Sequence, residues 1–105
     1  MQGLRIKFYD NGGIELVERY ENGVLHGEAK CFYRNGSLRF VAMYRYGRLD
    51  GIFNGFYKNG NIRYTSNYEN GNQVGLQHGY SKKGRLTYVT RYLNGFRVSH
   101  ESFGE

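Results

Sequence analysis

The chain repeats itself every 24 residues, and this period constrains its fold more than any other feature. Four units, residues 3–26, 27–50, 51–74 and 75–98, align without a gap. Each unit opens with a glycine and carries a tyrosine at the place held by Tyr20 in the first unit. A repeat of this length is one supersecondary unit that cannot bury its apolar face alone, so the units are expected to stack side by side.

Within each unit the sequence has the chemistry of a β-hairpin. Asn-Gly pairs, such as Asn35-Gly36 in mid-unit and Asn70-Gly71 near a unit end, separate apolar runs, and this pair favours tight turns. After each mid-unit turn the residues alternate, with Phe40 predicted on an aromatic face and Arg39 on an opposite, polar face. No helical pattern occurs. The sequence predicts an all-β fold, an antiparallel β-hairpin meander or solenoid of two strands per unit and roughly 40 Å in length.

These motifs resemble the bacterial variant of the MORN (membrane occupation and recognition nexus) repeat. The pattern FYxNGxIxxxxxYxNGxxxG is written as FYDNGGIELVERYENGVLHG, FYRNGSLRFVAMYRYGRLDG and FYKNGNIRYTSNYENGNQVG. The resemblance implies a hairpin solenoid and a role in recognition rather than catalysis. Some bacterial proteins with this variant are antitoxins, whereas eukaryotic relatives scaffold protein assemblies or associate with membranes.

The repeats fill almost the whole sequence, so we expect residues 1–105 to form a single elongated domain. Residues 99–105, which begin with Ser99 where a fifth opening glycine would stand, are interpreted as a C-terminal cap: a strand fragment over the last edge. Terminal strands of a solenoid can also pair with another copy, so a homodimer is a further expectation.

Composition favours a cytoplasmic protein. Cys31 is the single cysteine and has no partner for an internal disulfide, which fits a reducing compartment. The N-terminal residues lack the apolar segment of a signal peptide. No apolar run approaches the ~20 residues that a membrane-spanning helix needs.

The sequence offers no arrangement of catalytic or metal-binding residues, and we expect no enzyme, cofactor or metal. His26, His78 and His100 are scattered and do not recur at equivalent positions of the repeat. Cys31 occupies a position held by Gly55 and Gly79, which favours a buried small residue over a reactive thiol.

Basic residues provide the candidate binding surface. The net charge is +6, with the positive excess in the middle and C-terminal parts of the chain. Turn residues of a solenoid collect along one edge, so the basic ones would form stripes; the alternative is a solvated surface that only keeps the protein soluble. The candidate partner-binding residues are Arg34, Arg39, Arg45, Arg48, Lys58, Arg63, Lys82, Lys83, Arg85 and Arg91.

Two functions are consistent with these stripes. The first is a non-enzymatic module that uses its repeated basic and aromatic face to bind a protein partner with an acidic surface, as an antitoxin, an immunity protein or a phage-borne inhibitor would. The second is a nucleic-acid or ribonucleoprotein binder that places the same cations on phosphates and loses affinity steeply with salt. Membrane association ranks last, because the sequence contains no amphipathic helix or lipidation motif.

Overall fold

The computed structural model describes residues 2–104, and all regular secondary structure within them is β-strand. No helix with the length and apolar character needed to cross a bilayer occurs in this range. The strands are β1 (Gly3–Phe8), β2 (Ile14–Glu21), β3 (Val24–Leu25), β4 (Gly27–Phe32), β5 (Leu38–Arg45), β6 (Arg48–Phe56), β7 (Ile62–Glu69), β8 (Asn72–Tyr80), β9 (Leu86–Leu93) and β10 (Phe96–Ser102).

The strands form one open antiparallel sheet in which neighbours in sequence are neighbours in space. The order is β1-β2-β4-β5-β6-β7-β8-β9-β10, with the short β3 also paired to β2. The sheet measures 43 × 32 × 13 Å, so it is a single layer close to the expected length. The predicted antiparallel hairpin meander is confirmed.

The two kinds of Asn-Gly turn use their asparagines differently. At the unit ends both residues have positive φ, as in Asn70 (48°) and Gly71 (85°), which is the geometry of a tight two-residue hairpin turn. At the mid-unit turns only the glycine has positive φ, and the asparagine acts through its side chain. Asn35 Oδ1, for example, accepts a hydrogen bond from the Ser37 backbone N–H at 2.9 Å.

Each mid-unit hairpin contains a β-bulge that changes which face its residues occupy. Cys31 pairs with Phe40 and Phe32 pairs with Leu38, which leaves Arg39 as an extra residue without a partner on β4. The other units have the same irregularity at one equivalent position, which is Glu15, Arg63 and Thr87 in turn.

The predicted polar-face position of Arg39 and Arg63 is therefore wrong. Strict alternation would separate them from the aromatic residues, but the extra residue of a bulge interrupts alternation and bends the strand. Both arginines border the same groove as Phe40 and Tyr64.

Packing on the aromatic face joins large rings to small residues on neighbouring strands. Phe53 stacks on Phe40 with ring centroids 5.2 Å apart and on Tyr64 at 6.2 Å, while Ala29 and Ala42 are buried beside them. Among the described residues no large side chain is completely buried. This is what a single-layer sheet allows, since no second layer covers either face.

The terminal strands are exposed along their whole length. Ser99 to Ser102 of the expected cap continue β10 and pair with β9, whereas Glu105 lies outside the described residues. Dimerisation through β1 or β10 remains a prediction.

Candidate partner-binding groove

The four mid-unit turns lie side by side at one end of the sheet, and tyrosines connect three of them to the next repeat. The Tyr9, Tyr33 and Tyr57 hydroxyls donate hydrogen bonds of 2.5, 2.6 and 2.7 Å to backbone carbonyls 23 residues later. The Asn59 side-chain amide likewise donates to the Lys82 carbonyl at 3.0 Å. These contacts hold the three tyrosine rings at fixed positions in a row that runs along the mid-unit turns.

Cationic side chains lie over the same tyrosine rings. The Arg34 guanidinium is 5.0 Å from the Tyr9 ring centroid, and that of Arg63 is 5.5 Å from the Tyr57 centroid. Tyr33 has two cations nearby, Arg39 at 5.7 Å and Lys58 at 5.9 Å. These separations are in the range of cation–π attraction, which restrains side chains that would otherwise be mobile in solvent.

The cations line a surface groove of about 610 Å³ that crosses the second and third repeats and reaches the mid-unit turn of the fourth. We call this the basic groove, and its lining residues are Tyr33, Arg39, Tyr57, Lys58, Asn59, Arg63 and Lys82. A space of about 540 Å³ adjoins it on the side of the first repeat and includes Glu15. Another, of about 290 Å³, is bordered by Phe40, Phe53, Phe56 and Tyr64.

The cation beside Tyr9 is compensated by a carboxylate, whereas the cations beside Tyr33 and Tyr57 have no such partner among the described residues. Arg34 forms an ion pair with Asp10 at 2.6 Å, and this hydrogen bond holds the pKa of the Asp10 carboxyl below its usual value. Within residues 2–104, none of the four cations of the basic groove has a carboxylate oxygen within 4.0 Å. The basic groove is therefore suited to binding an anionic group.

Five of the ten predicted binding residues come together here: Arg34, Arg39, Lys58, Arg63 and Lys82. The other five do not line the basic groove or the space beside it. Arg45 and Arg48 face each other across the β5–β6 turn. Lys83 and Arg85 lie in the β8–β9 turn, and Arg91 is on β9 beside the buried Thr90.

The candidate binding residues predicted from the sequence include no tyrosine, although Tyr33 and Tyr57 line the groove. The signal was available, because Tyr9, Tyr33 and Tyr57 each precede a mid-unit turn by two residues at the repeat period. Periodicity alone does not separate these tyrosines from the half-buried Tyr44 and Tyr68 on the strands, which recur with the same period.

His100 and Cys31, which carry reactive types of side chain, line neither of the spaces that hold the basic residues. The His100 ring is hydrogen-bonded to Thr90 Oγ1 at 2.6 Å and Ser102 Oγ at 3.0 Å on the exposed last strand, away from both spaces that hold the basic residues. Burial raises the pKa of the Cys31 thiol, although the charge of Arg39 opposes this effect. The described residues contain no group of three His, Cys, Asp or Glu side chains placed to hold a metal ion.

Comparison with known protein families supports the resemblance seen in the repeats. The MORN repeat variant family matches residues 25–46 and 49–70, two segments whose starts are separated by one 24-residue period. No curated protein matches this chain. The two matches support a MORN-like repeat protein, and MORN repeats are binding modules for proteins or membranes rather than a known class of enzyme.

Proposed function

We propose that this protein is a non-enzymatic binding module that recognises an acidic surface of a protein partner through the basic groove. The observation that carries the proposal is the set of four cations that share one groove without a carboxylate partner among the described residues. Clustered like charges repel one another, and an acidic partner would relieve that repulsion and be steered toward the groove.

The groove has the components that such binding needs. A guanidinium that lies over a tyrosine ring still presents the N–H groups at its edge, and these match the two oxygens of a carboxylate. Tyr33 and Tyr57 are held by hydrogen bonds to the next repeat, so less conformational entropy is lost on binding. The neighbouring aromatic residues Phe40 and Phe53 would add apolar contact area.

The consequence of binding that we propose is inhibition of the partner. A module without catalytic groups acts by occupying its partner, as an antitoxin, an immunity protein or a phage-borne inhibitor does. We place this action in the cytoplasm, where a lone thiol such as Cys31 stays reduced. Once the partner is known, the proposal predicts that its activity falls as the complex forms.

Nucleic acid is the second candidate, because the same cations would neutralise phosphates. Proteins that bind single strands also need free aromatic faces on which bases stack. Arg34, Arg39 and Arg63 lie over the rings of Tyr9, Tyr33 and Tyr57. This arrangement favours the acidic protein partner.

Affinity capture from a bacterial lysate, with and without nuclease treatment, tests the proposal. The test protein carries Arg39→Gln, Lys58→Gln, Arg63→Gln and Lys82→Gln, and the matched control carries Arg45→Gln, Arg48→Gln, Lys83→Gln and Arg85→Gln, which removes the same charge outside the groove. We expect a stoichiometric protein that wild type and control retain and the groove variant loses. Equal retention by both variants, or loss of every bound protein on nuclease treatment, would overturn the proposal.

A further inference from the structure

We infer that the segment recognised by the basic groove is an extended polyproline-II stretch with two acidic side chains three residues apart. The inference rests on the proposed function and specifies the shape of its ligand. It follows from the spacing of the cations, from the number of uncompensated clusters and from the aromatic residues beside them.

The spacing of the cation clusters matches one turn of a polyproline-II helix. Arg39 and Lys58 gather at Tyr33, whereas Arg63 and Lys82 line the groove beside Tyr57 one repeat later. These tyrosines follow β4 and β6, which are two strand spacings apart, so the clusters lie roughly 10 Å from each other. Residues i and i+3 of a polyproline-II helix lie on one side, about 9.3 Å apart. Same-side residues of a β-strand are only about 6.8 Å apart.

Two acidic residues are expected because only two tyrosines of the row, Tyr33 and Tyr57, have cations beside them that no carboxylate of the described residues compensates. At Tyr9 the bulge position holds Glu15 rather than an arginine, and the cation over the ring, Arg34, is already paired with Asp10. In the fourth repeat Ser81 and Thr87 stand where the second and third have a tyrosine and an arginine. The row of anion-binding positions therefore begins at Tyr33 and ends at Tyr57.

Apolar residues are expected between the two acids. The basic groove is continuous with the space bordered by Phe40, Phe53 and Tyr64, since Arg39 and Arg63 border both. A polyproline-II helix has three residues per turn, so it can direct one line of side chains to the cations and another to these rings. Aromatic grooves that bind prolines in this conformation are a recurrent mode of peptide recognition.

The test compares peptides of equal charge and composition by fluorescence anisotropy with the full-length protein. The probes are Pro-Glu-Pro-Pro-Glu-Pro, Pro-Glu-Pro-Glu-Pro-Pro and Pro-Glu-Glu-Pro-Pro-Pro, each dye-labelled at its N-terminus. We expect the first to bind about fivefold tighter, because only its second glutamate reaches the second cluster, and an exposed ion pair contributes up to that factor.

Two arginine variants test whether the preference for the first peptide depends on the basic groove. Arg63→Gln removes one of the two cations of the second cluster, so it should lower affinity for the first peptide by up to about fivefold and narrow its advantage over the other two. Arg91→Gln removes the same charge from the strand face opposite Thr90 and Tyr92 and should leave the preference intact.

The outcomes separate this inference from the proposed function. Equal binding of all three peptides to the wild-type protein, together with partner capture that depends on the groove, would overturn the three-residue spacing and leave the acidic partner standing. Tighter binding of a helical peptide with glutamates seven residues apart would overturn the polyproline-II conformation. Binding of a single-stranded oligonucleotide in preference to every acidic peptide would overturn both.

Discussion

Gly55 and Gly79 are required because tyrosine rings on the adjacent strand cover them. A Cβ atom built at Gly55 would lie 2.5 Å from Tyr64 Cε2, and one at Gly79 would overlap the Tyr88 ring still more closely. The second repeat has Cys31 at the equivalent position, opposite Phe40 rather than a tyrosine. The residue allowed at this position therefore depends on its cross-strand partner.

This contact predicts that Gly79→Ala lowers the free energy of unfolding by about 1–3 kcal/mol, the usual effect of overpacking. The Tyr88 ring would have to move from its position over the backbone. Cys31→Ala is the matched control, because it places the same methyl group where a side chain already fits, and it should cost less. Urea denaturation measures both, and unchanged stability in Gly79→Ala would contradict the predicted contact.

At the scale of the element, the hairpin turns at the unit ends depend on left-handed backbone geometry. Asn22, Asn70 and Asn94 occupy the first turn position with φ near 50°, followed by a glycine. In the second repeat this position is Tyr46, with φ 49° and a side chain that is 75% exposed. Asparagine adopts this conformation more readily than a bulky aromatic residue does.

Tyr46→Asn should therefore raise the free energy of unfolding by about 0.5–1 kcal/mol through relief of backbone strain. The opposing loss is the contact of the Tyr46 ring with His26, whose centroid is 5.0 Å away. Tyr46→Phe keeps both the ring and the strain and should match wild type. Thermal and urea unfolding give the comparison, and a lower midpoint for Tyr46→Asn would show that the His26 contact outweighs the strain.

At the scale of the whole molecule, the single-layer sheet stabilises itself through one partly buried aromatic face that spans the repeats. Burial raises the pKa values of Tyr44 on β5 and of Tyr64 and Tyr68 on β7. Unfolding would expose these phenols to water, where they ionise near pH 10, whereas the folded protein keeps their protons to higher pH.

The stability that these tyrosines contribute should accordingly be complete below about pH 10 and be lost as the pH rises through their folded pKa values. Urea midpoints measured between about pH 9 and 11 should fall with pH, and phenolate absorbance should show when each ring ionises. Tyr64→Phe should have a shallower fall. The same slope in wild type and Tyr64→Phe would contradict a raised pKa at this residue.

How much could be predicted from the sequence differs between the fold and the groove. Asn70-Gly71 and the alternation around Phe40 are local signals, so the hairpins and their meander order follow from short stretches of chain. The basic groove joins Arg39 to Lys58 and Tyr33 across three strands. Half of the predicted binding residues lie together because turns of a repeat gather along one edge, but the sequence does not show which turn residues line the groove.

The sequence by itself determined the 24-residue unit, the all-β hairpin architecture and the gathering of the mid-unit turns along one side of the sheet. Turn chemistry and a period of two residues act within a few positions, so they can be recognised without coordinates. Only the tertiary structure decided that a bulge brings Arg39 and Arg63 to the aromatic face beside Tyr33 and Tyr57. A bulge is a mismatch in count between two paired strands, and it becomes visible only once their pairing is known.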